Sequence, residues 1–334
     1  MVKTTFLAAV LWCGLAPAQS SLNVGSKIVA SANGFLNSLD EAQRSKVLFE
    51  FNDAAQRMKW SNLPTTMVPR AGLKMGDLSA TQRKAAMDLL ASALSKRGYE
   101  KVLAIVEGDE TLKVAEGGRG GMFGRDLFYI SLLGKPSLKE PWMLQFGGHH
   151  LALNITIVGA DGILTPSLTA AQPAKYTVDG KTVRPLGAEN DKAFALINAL
   201  DEGQRKQAIL NYKVADLVLG PGKDGKTIQP EGIKCSAMNA GQQTMLLDLV
   251  SEWAGIVNEQ AAAARMAEIK ANLSATWFAW SGPTTNGTPA YYRIQGPALV
   301  IEYAPQPLGG DPTMHIHTIY RDPTNDYGKK SVGH

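Results

Sequence analysis

Cysteine is scarce in this sequence, so covalent cross-links do not hold the folded chain together. The 334 residues include two cysteines, Cys13 and Cys235. We assign Cys13 to an N-terminal segment that is removed on export, which leaves Cys235 without a partner. No intramolecular disulfide is then possible, and stability has to come from a hydrophobic core. The composition, 45% hydrophobic and 19% charged, is that of an ordinary globular protein.

Long apolar runs and dense positive charge are also missing. No stretch of the mature chain reaches about 18 consecutive apolar residues, so we predict no transmembrane segment there. The formal net charge is only +4, and no stripe of lysine and arginine suits a phosphate backbone. We therefore expect no nucleic-acid partner. The glycine-containing motifs of serine hydrolases, nucleoside triphosphatases and dinucleotide-binding enzymes are absent as well.

The N-terminus carries a targeting pattern. Lys3 supplies a positive charge, residues 5–15 are mostly apolar, and Ala16, Pro17 and Ala18 form a small-x-small cleavage pattern. We predict that residues 1–18 are a signal peptide cleaved after Ala18. The mature protein is then expected to be secreted or periplasmic.

The mature sequence resembles itself at a nearly constant spacing. Residues 39–44 and 200–205 share the pattern Leu-Asp-Glu-x-Gln-Arg, and residues 78–83 and 238–243 form a second matched pair. Each segment looks like a helix start, and Ser79 and Asn239 are capping residues with Gln82 and Gln242 at the third helical position, as a capping box requires. Two strand-like pairs follow at one common offset, 128–134 with 276–282 and 148–155 with 296–303.

These repeats predict an internally duplicated α+β protein. Each half is expected to run from helices to antiparallel strands, which favours α+β over an alternating βαβ fold. We place the halves at residues 25–160 and 189–328, joined by a bridge at 161–188 that is rich in loop-forming residues. The halves are predicted to pack about a pseudo-twofold axis as one compact domain.

Histidine points to a metal site. The chain has five histidines, and four of them lie in two clusters, His149 with His150 and His315 with His317. If 148–155 is a strand, His149 lies on its apolar face and His150 on the other, so His150 is the better ligand and His149 a core or supporting residue. His315 and His317, two residues apart, point the same way and suit one ion.

Three further residues complete the candidate site. The duplication aligns Glu302 with Asn154, on the strand face that carries His150, so we predict Glu302 as a fourth ligand or a general base. Arg321 and Asp322 follow the second histidine cluster, and we predict that they brace the loop around the site or that Arg321 binds a substrate carboxylate. A purely structural turn is an equal alternative for this pair. The ion is a divalent metal, zinc or copper, since imidazole ligands suit both.

Residues 142–154, 292–302 and 315–328, which contain Gly-His-His and His-x-His intact, resemble the domain of unknown function 3500 family. The resemblance covers about residues 25–330. It implies that His149, His150, His315 and His317 are hallmark residues of the family. It also implies a secreted or exported protein, and it supplies no reaction.

Three functions remain open at this stage. The first is a secreted metal-dependent enzyme, a hydrolase with zinc or an oxidase with copper, that acts on a small molecule or peptide. The second is a non-catalytic metal- or ligand-binding protein of the cell envelope. The third is a metal-free module that binds a sugar or peptide through aromatic residues of the strands, namely Trp277, Phe278, Trp280, Tyr291 and Tyr292.

Overall fold

A computed structural model describes residues 16–117, 121–308 and 310–331 of the chain, with the side chains of residues 16–23 left aside. The first 15 residues of the predicted signal peptide and the C-terminal His334 lie outside these ranges. None of the described helices is long and apolar enough to cross a membrane.

The helices come in two groups that are separated along the chain by strands. The first group is α1 (Ala16–Asn37), α2 (Glu41–Val47), α3 (Ala54–Arg57), α4 (Ala80–Ala93) and α5 (Lys96–Ala115). The second group is α6 (Gly187–Ala199), α7 (Glu202–Ala208), α8 (Ala240–Ala254) and α9 (Glu259–Ala271).

The capping boxes predicted at Ser79 and Asn239 are present, and two further boxes begin α2 and α7. Asp40 caps α2, Ser79 caps α4, Asp201 caps α7 and Asn239 caps α8, each with a glutamine at the third helical position. In each box the glutamine side chain also accepts a hydrogen bond from the backbone N–H of the capping residue. The unpaired N–H groups of the helix start are thereby satisfied locally.

One large, mostly antiparallel sheet contains strands from both the N-terminal and the C-terminal parts of the described chain. Its strands are β1 (Leu48–Phe49), β2 (Leu73–Lys74), β3 (Tyr129–Leu133), β4 (Trp142–Gly148), β5 (Leu151–Val158), β6 (Asp161–Ile163), β7 (Ser167–Ala171), β10 (Ile233–Lys234), β11 (Trp277–Ser281), β12 (Tyr291–Gly296), β13 (Leu299–Pro305) and β14 (Ile316–Arg321). The short strands β8 (Tyr176–Val178) and β9 (Lys181–Val183) form a separate hairpin. The described fold is therefore mixed α+β.

The centre of the main sheet is the antiparallel pair β7–β14. Outward from β7 the order is β5, β4 and β3, and outward from β14 it is β13, β12 and β11. Strands β2 and β10 pair with β3 and β11 respectively. The predicted loop-rich bridge is thus more regular than expected, because residues 161–188 include β6, β7, β8 and β9.

The two faces of the main sheet are covered differently. Helices pack against one face in two apolar clusters, one with α1, α4 and α5 and the other with α6 and α8. Two long connections cover the other face, namely segment 50–72 and segment 209–232. For example, Gln56 donates to Gln145 of β4, and Glu231 accepts from Arg293 of β12. Polar strand residues on that face meet polar loop residues, so buried polar groups find partners.

The strand aromatics proposed for a sugar or peptide groove lie mainly inside this structure. Phe278, Trp280 and Tyr292 belong to the helix-side core of β11 and β12. Trp280 and Tyr292 stack with ring centroids 6.0 Å apart. Because these rings are buried and pack against one another in the core, they do not form an accessible binding surface.

Candidate metal centre

The first histidine pair forms a turn rather than part of a strand, which corrects the alternation argument. Strand β4 ends at Gly148 and β5 begins at Leu151, so His149 and His150 make the two-residue connection. His150 has a φ of 62°, in the left-handed region that costs a non-glycine residue free energy. The two rings therefore do not point to opposite faces. They lie against each other, with centroids 3.5 Å apart.

A close approach between two backbone segments explains why position 147, two residues before the turn, is a glycine. A Cβ on Gly147 would collide with the carbonyl oxygen of Leu151 on the paired strand. On the far side, the backbone N–H of Ala170 in β7 donates to the carbonyl of His150 at 2.8 Å. The turn is thus attached to the central strand of the sheet, beside β14.

The second pair lies on the neighbouring strand. His315 immediately precedes β14 and His317 is within it, paired with Ala170 of β7 and Ala304 of β13. Their rings are perpendicular, with centroids 4.7 Å apart.

Three imidazoles converge on one point. The Nε2 atoms of His150 and His315 are 3.1 Å apart, and those of His315 and His317 are 3.0 Å apart. Two ligand nitrogens on a tetrahedral ion, with bonds of about 2.0–2.1 Å, lie about 3.3 Å apart. The three side chains are buried and form a group that can hold a metal ion. A small outward movement of each nitrogen would make room for the ion.

Burial keeps two of these imidazoles in the form that can bind a metal. Desolvation, reinforced by the neighbouring imidazoles, lowers the pKa of His150 well below its usual value. Burial likewise lowers the pKa of His315 to about 4. Because a metal competes with the proton for the imidazole lone pair, both rings are available at neutral pH.

Groups around the rings fix their orientation. Nδ1 of His315 donates to the carbonyl oxygen of Leu308 at 2.8 Å, which leaves its Nε2 lone pair directed at the cluster. Nδ1 of His317 lies 3.5 Å from Oδ1 of Asp216, in segment 209–232. The amide nitrogen of Asn62, in segment 50–72, contacts the same ring. Metal-binding histidines are commonly oriented by such carbonyl and carboxylate partners.

His149 is paired with Asp109 of α5. Its Nδ1 lies 2.6 Å from Oδ1 of Asp109, and the other carboxylate oxygen accepts from the N–H of Gly124. Asp109, His149 and His150 also form a group that can hold an ion. The 2.6 Å separation is a hydrogen-bond distance, however, and it is shorter than the roughly 3 Å between neighbouring ligand atoms of one ion. His149 therefore serves as a support stacked on His150, between it and Phe123.

The structure does not bring Glu302 into the histidine cluster. Its carboxylate is buried and accepts hydrogen bonds from the backbone N–H groups of Val218 and Leu219 and from the hydroxyl of Tyr291. Glu302 thereby holds segment 209–232, the segment that carries Asp216. Its contacts are those of a residue that positions a loop, rather than of a fourth ligand or a base.

Arg321 and Asp322 are likewise committed to structural contacts. Arg321 is 1% exposed and donates to the carbonyls of Leu219 and Gly220 and to the carboxylates of Asp224 and Asp326. Asp322 pairs with Arg265 at 3.0 Å. These contacts match the bracing alternative, because four of the five N–H groups of Arg321 already bond within the protein.

Sequence reasoning missed three contributors, Asn62, Asp109 and Asp216. Asp109 left a signal, because it occupies a core-facing position of α5 in series with the buried Val102, Ile105 and Leu112. An acidic residue within an apolar helix stripe indicates a specific buried partner. Asn62 and Asp216 left none, since both lie in irregular segments whose contacts follow no periodic pattern.

Comparison with known proteins adds a family and no reaction. A family model described as protein of unknown function (DUF3500) matches residues 23–329, which is nearly the whole chain. No curated protein and no solved structure matches the sequence significantly. The chain therefore belongs to the family described as protein of unknown function, DUF3500.

Proposed function

We propose that this chain is a secreted metalloprotein, and that its metal centre, formed by His150, His315 and His317, makes it a metal-dependent enzyme. The observation that carries the proposal is the convergence of three Nε2 atoms, with that of His315 lying 3.1 Å from that of His150 and 3.0 Å from that of His317. With Nδ1 of His315 donating to Leu308 and Nδ1 of His317 facing Asp216, the Nε2 lone pairs of these two rings point at each other at 3.0 Å and repel. A shared divalent cation relieves that repulsion.

The charge around the cluster supports an ion with two positive charges. The three ligands are neutral, and the carboxylates of Asp109 and Asp216 stand one residue further out. Burial alone would raise the pKa of Asp216, but hydrogen bonds from His317, the Leu217 N–H and Gln306 outweigh it, and the pKa is lowered. A single divalent ion would thus be balanced by two negative groups, whereas a second ion would be left uncompensated.

Three protein ligands leave a coordination position for a substrate, which is the arrangement of catalytic sites. A zinc ion here would act as a Lewis acid for hydrolysis, and a copper ion as a redox centre for an oxidation. The chain's own contribution is to hold the imidazoles in position and exclude bulk water. Each of the three histidines is at most 6% exposed.

That same burial favours a second candidate, a non-catalytic metal-binding protein of the cell envelope. Such a protein would keep its ion without an exchangeable position. Binding of a small anion such as azide to the metal-loaded protein separates the two candidates, because only an open coordination position admits it.

Elemental analysis tests the metal centre directly. Protein expressed without a histidine tag should contain about one zinc or copper ion per chain, and His315→Ala and His317→Ala should contain almost none. Thr318→Val is the matched control. Thr318 directly follows His317 in β14, so it lies on the opposite strand face, and it bonds to Trp253 and Thr169. Equal metal loss in Thr318→Val, or metal-free wild-type protein, would refute the proposal.

We also propose that the two halves are related by duplication about a pseudo-twofold axis between β7 and β14. What supports this is the mirrored strand order on the two sides of that pair. The helix starts add a second line of support. Gln43 and Gln82 exchange side-chain hydrogen bonds between α2 and α4, and Gln204 and Gln242 do the same between α7 and α8.

Export is the remaining part of the proposal. It rests on the apolar segment with its small-x-small pattern before residue 19. N-terminal sequencing of protein recovered outside the cytoplasm should begin at or near Gln19. Recovery of chains that retain Met1 would contradict it.

A further inference from the structure

A cavity lies where segment 209–232 meets the ends of β11 and β13. Its volume is about 560 Å³, within the range of roughly 300–1,000 Å³ that is usual for small-molecule sites. Its walls come from the end of β11, the β11–β12 connection, the end of β13 with the connection that follows it, and residues 210–215. The cavity is therefore large enough to enclose a small organic ligand.

The lining of this cavity is mostly apolar and stiff. Fifteen residues line it, and five of them are prolines, namely Pro283, Pro289, Pro305, Pro307 and Pro312. Proline fixes its own φ and has no backbone N–H to donate, so these walls offer apolar ring surface that does not rearrange easily. A preformed wall lowers the cost of ordering the protein on binding. The lining therefore favours a ligand with an apolar body.

Hydrogen bonds hold the wall formed by residues 210–215 against the sheet. The N–H of Leu210 donates to the carbonyl of Trp280 at 2.8 Å. The hydroxyl of Ser281 donates to the carbonyl of Tyr212 at 2.8 Å and accepts from the N–H of Val214 at 3.2 Å. These polar groups are already paired within the protein, so a ligand has to find its polar partner elsewhere in the lining.

Lys213 is the one charged residue among the fifteen that line the cavity. A second cavity, of about 570 Å³, shares the wall at residues 212–215, and its lining includes Asp216, Glu231 and Arg293. Arg293 pairs with Glu231 at 2.7 Å, and Asp216 bonds to Gln306 at 2.8 Å. Within the described ranges, Lys213 is the member of this charged set whose ionic group has no partner. Its ammonium group therefore complements an anion.

We propose that the first cavity binds a small organic carboxylate, with the carboxylate group at the Lys213 ammonium and an apolar body against the prolines. This site is separate from the histidine cluster, because none of the four clustered histidines is among its lining residues. It goes beyond the proposed function and does not depend on a bound metal.

Two probes of nearly equal size test this proposal. 2-Naphthylacetate and 2-naphthylacetamide share one apolar ring system, and only the acid carries a charge. In isothermal titration calorimetry with the purified protein, the acid should bind with a dissociation constant below about 1 mM. It should bind about threefold to fivefold more tightly than the amide, which is the gain expected of an exposed ion pair.

Two variants separate the charge from the shape of the site. Lys213→Gln should bind the amide as the wild type does and lose the preference for the acid. Lys226→Gln is the matched control, because Lys226 is an exposed lysine of the same segment outside this lining, and it should keep the preference. Ala215→Trp, at an exposed lining residue, should fill the cavity and weaken both probes at least about tenfold, because it displaces their apolar contacts.

The double variant His315→Ala with His317→Ala should bind both probes as the wild type does, since the site lies apart from the metal centre. Loss of acid binding in that variant would mean that the acid binds at the histidines, and it would overturn the proposal. So would the absence of binding by either probe up to about 5 mM, or unchanged binding of both probes in a folded Ala215→Trp variant. Equal affinities for acid and amide in the wild type, or a preference retained in Lys213→Gln, would also overturn it. The proposed metal centre is tested separately by its metal content.

Discussion

At the scale of single residues, His150 does the most to create the site. Its left-handed backbone conformation turns the β4–β5 connection so that its ring faces His315, which lies 165 positions later in the chain. Such a conformation in a non-glycine residue persists only where the surroundings hold it. Here the Ala170 N–H bonds its carbonyl, and His149, paired with Asp109, packs on its ring. The strained backbone conformation of His150 therefore lies at the proposed metal centre.

Asp216 offers a residue-scale test, because it is exposed enough to change without damaging the core. Asp216→Asn should lower metal affinity by about tenfold to a hundredfold, since the partner of a ligand imidazole raises its basicity and fixes its orientation. Competition with a chelator of known affinity measures the change. Asp88→Asn, at an exposed residue of α4 paired with Lys84, makes the same change of charge and should leave metal affinity unaltered. Equal affinities in all three proteins would remove Asp216 from the centre.

The lowered pKa of His315 gives the metal-free protein a pH dependence. A histidine whose pKa falls from 6.5 to about 4 on folding is protonated first in the unfolded chain, so stability is complete above pH 6.5 and is lost as the pH falls towards 4. Each unit of such a shift corresponds to about 1.4 kcal/mol at most. Urea unfolding of the metal-free wild type should show a steeper loss across this range than His315→Gln. Parallel curves for the two proteins would contradict the assignment.

At the scale of elements, periodic patterns in the sequence predicted helices and strands well, whereas the structure of the connections was not predicted. Residues 128–134 and 276–282, predicted as strands, contain β3 and β11. The capping boxes also begin their helices where the sequence places them. Residues 148–155, predicted as one strand, instead contain the end of β4, a turn and β5. The sequence does not reveal this turn, because a positive φ is uncommon at a non-glycine residue such as His150. Segments 50–72 and 209–232, which supply Asn62 and Asp216, have no periodicity from which their contacts can be inferred.

The paired glutamines of the helix starts give an element-scale prediction. The Gln82 side chain accepts from the N–H of Ser79, bonds to Gln43 and donates to the carbonyl of Ser38. Gln242 makes the same three contacts with Asn239, Gln204 and Ala199. Gln82→Ala and Gln242→Ala should each lower the free energy of unfolding by about 1–3 kcal/mol, and by similar amounts. Chemical denaturation measures both. A large effect in one half with none in the other would weaken the duplication proposal.

At the scale of the whole molecule, the proposed centre lies where the two proposed halves meet. His150 comes from the β4–β5 turn, whereas His317 is in β14 and His315 immediately precedes that strand. Five residue pairs join β7 to β14. Contacts beyond the sheet also cross this boundary. The buried Lys101 of α5 pairs with Glu189 of α6 and Glu252 of α8. An ion shared across this boundary would therefore bind only when both halves are folded and joined.

This arrangement predicts how metal changes the stability of the intact protein. A ligand that binds only the folded state, at a free concentration one hundred times its dissociation constant, adds about 2.7 kcal/mol. Zinc should therefore raise the Tm by roughly 5 °C within a single unfolding transition, and a chelator should reverse the shift. The double variant His315→Ala with His317→Ala should show one transition with no response to zinc. Scanning calorimetry at several zinc concentrations checks both points. Two separate transitions would mean that the halves unfold independently despite the shared sheet, and an equal zinc response in the double variant would place the bound ion elsewhere.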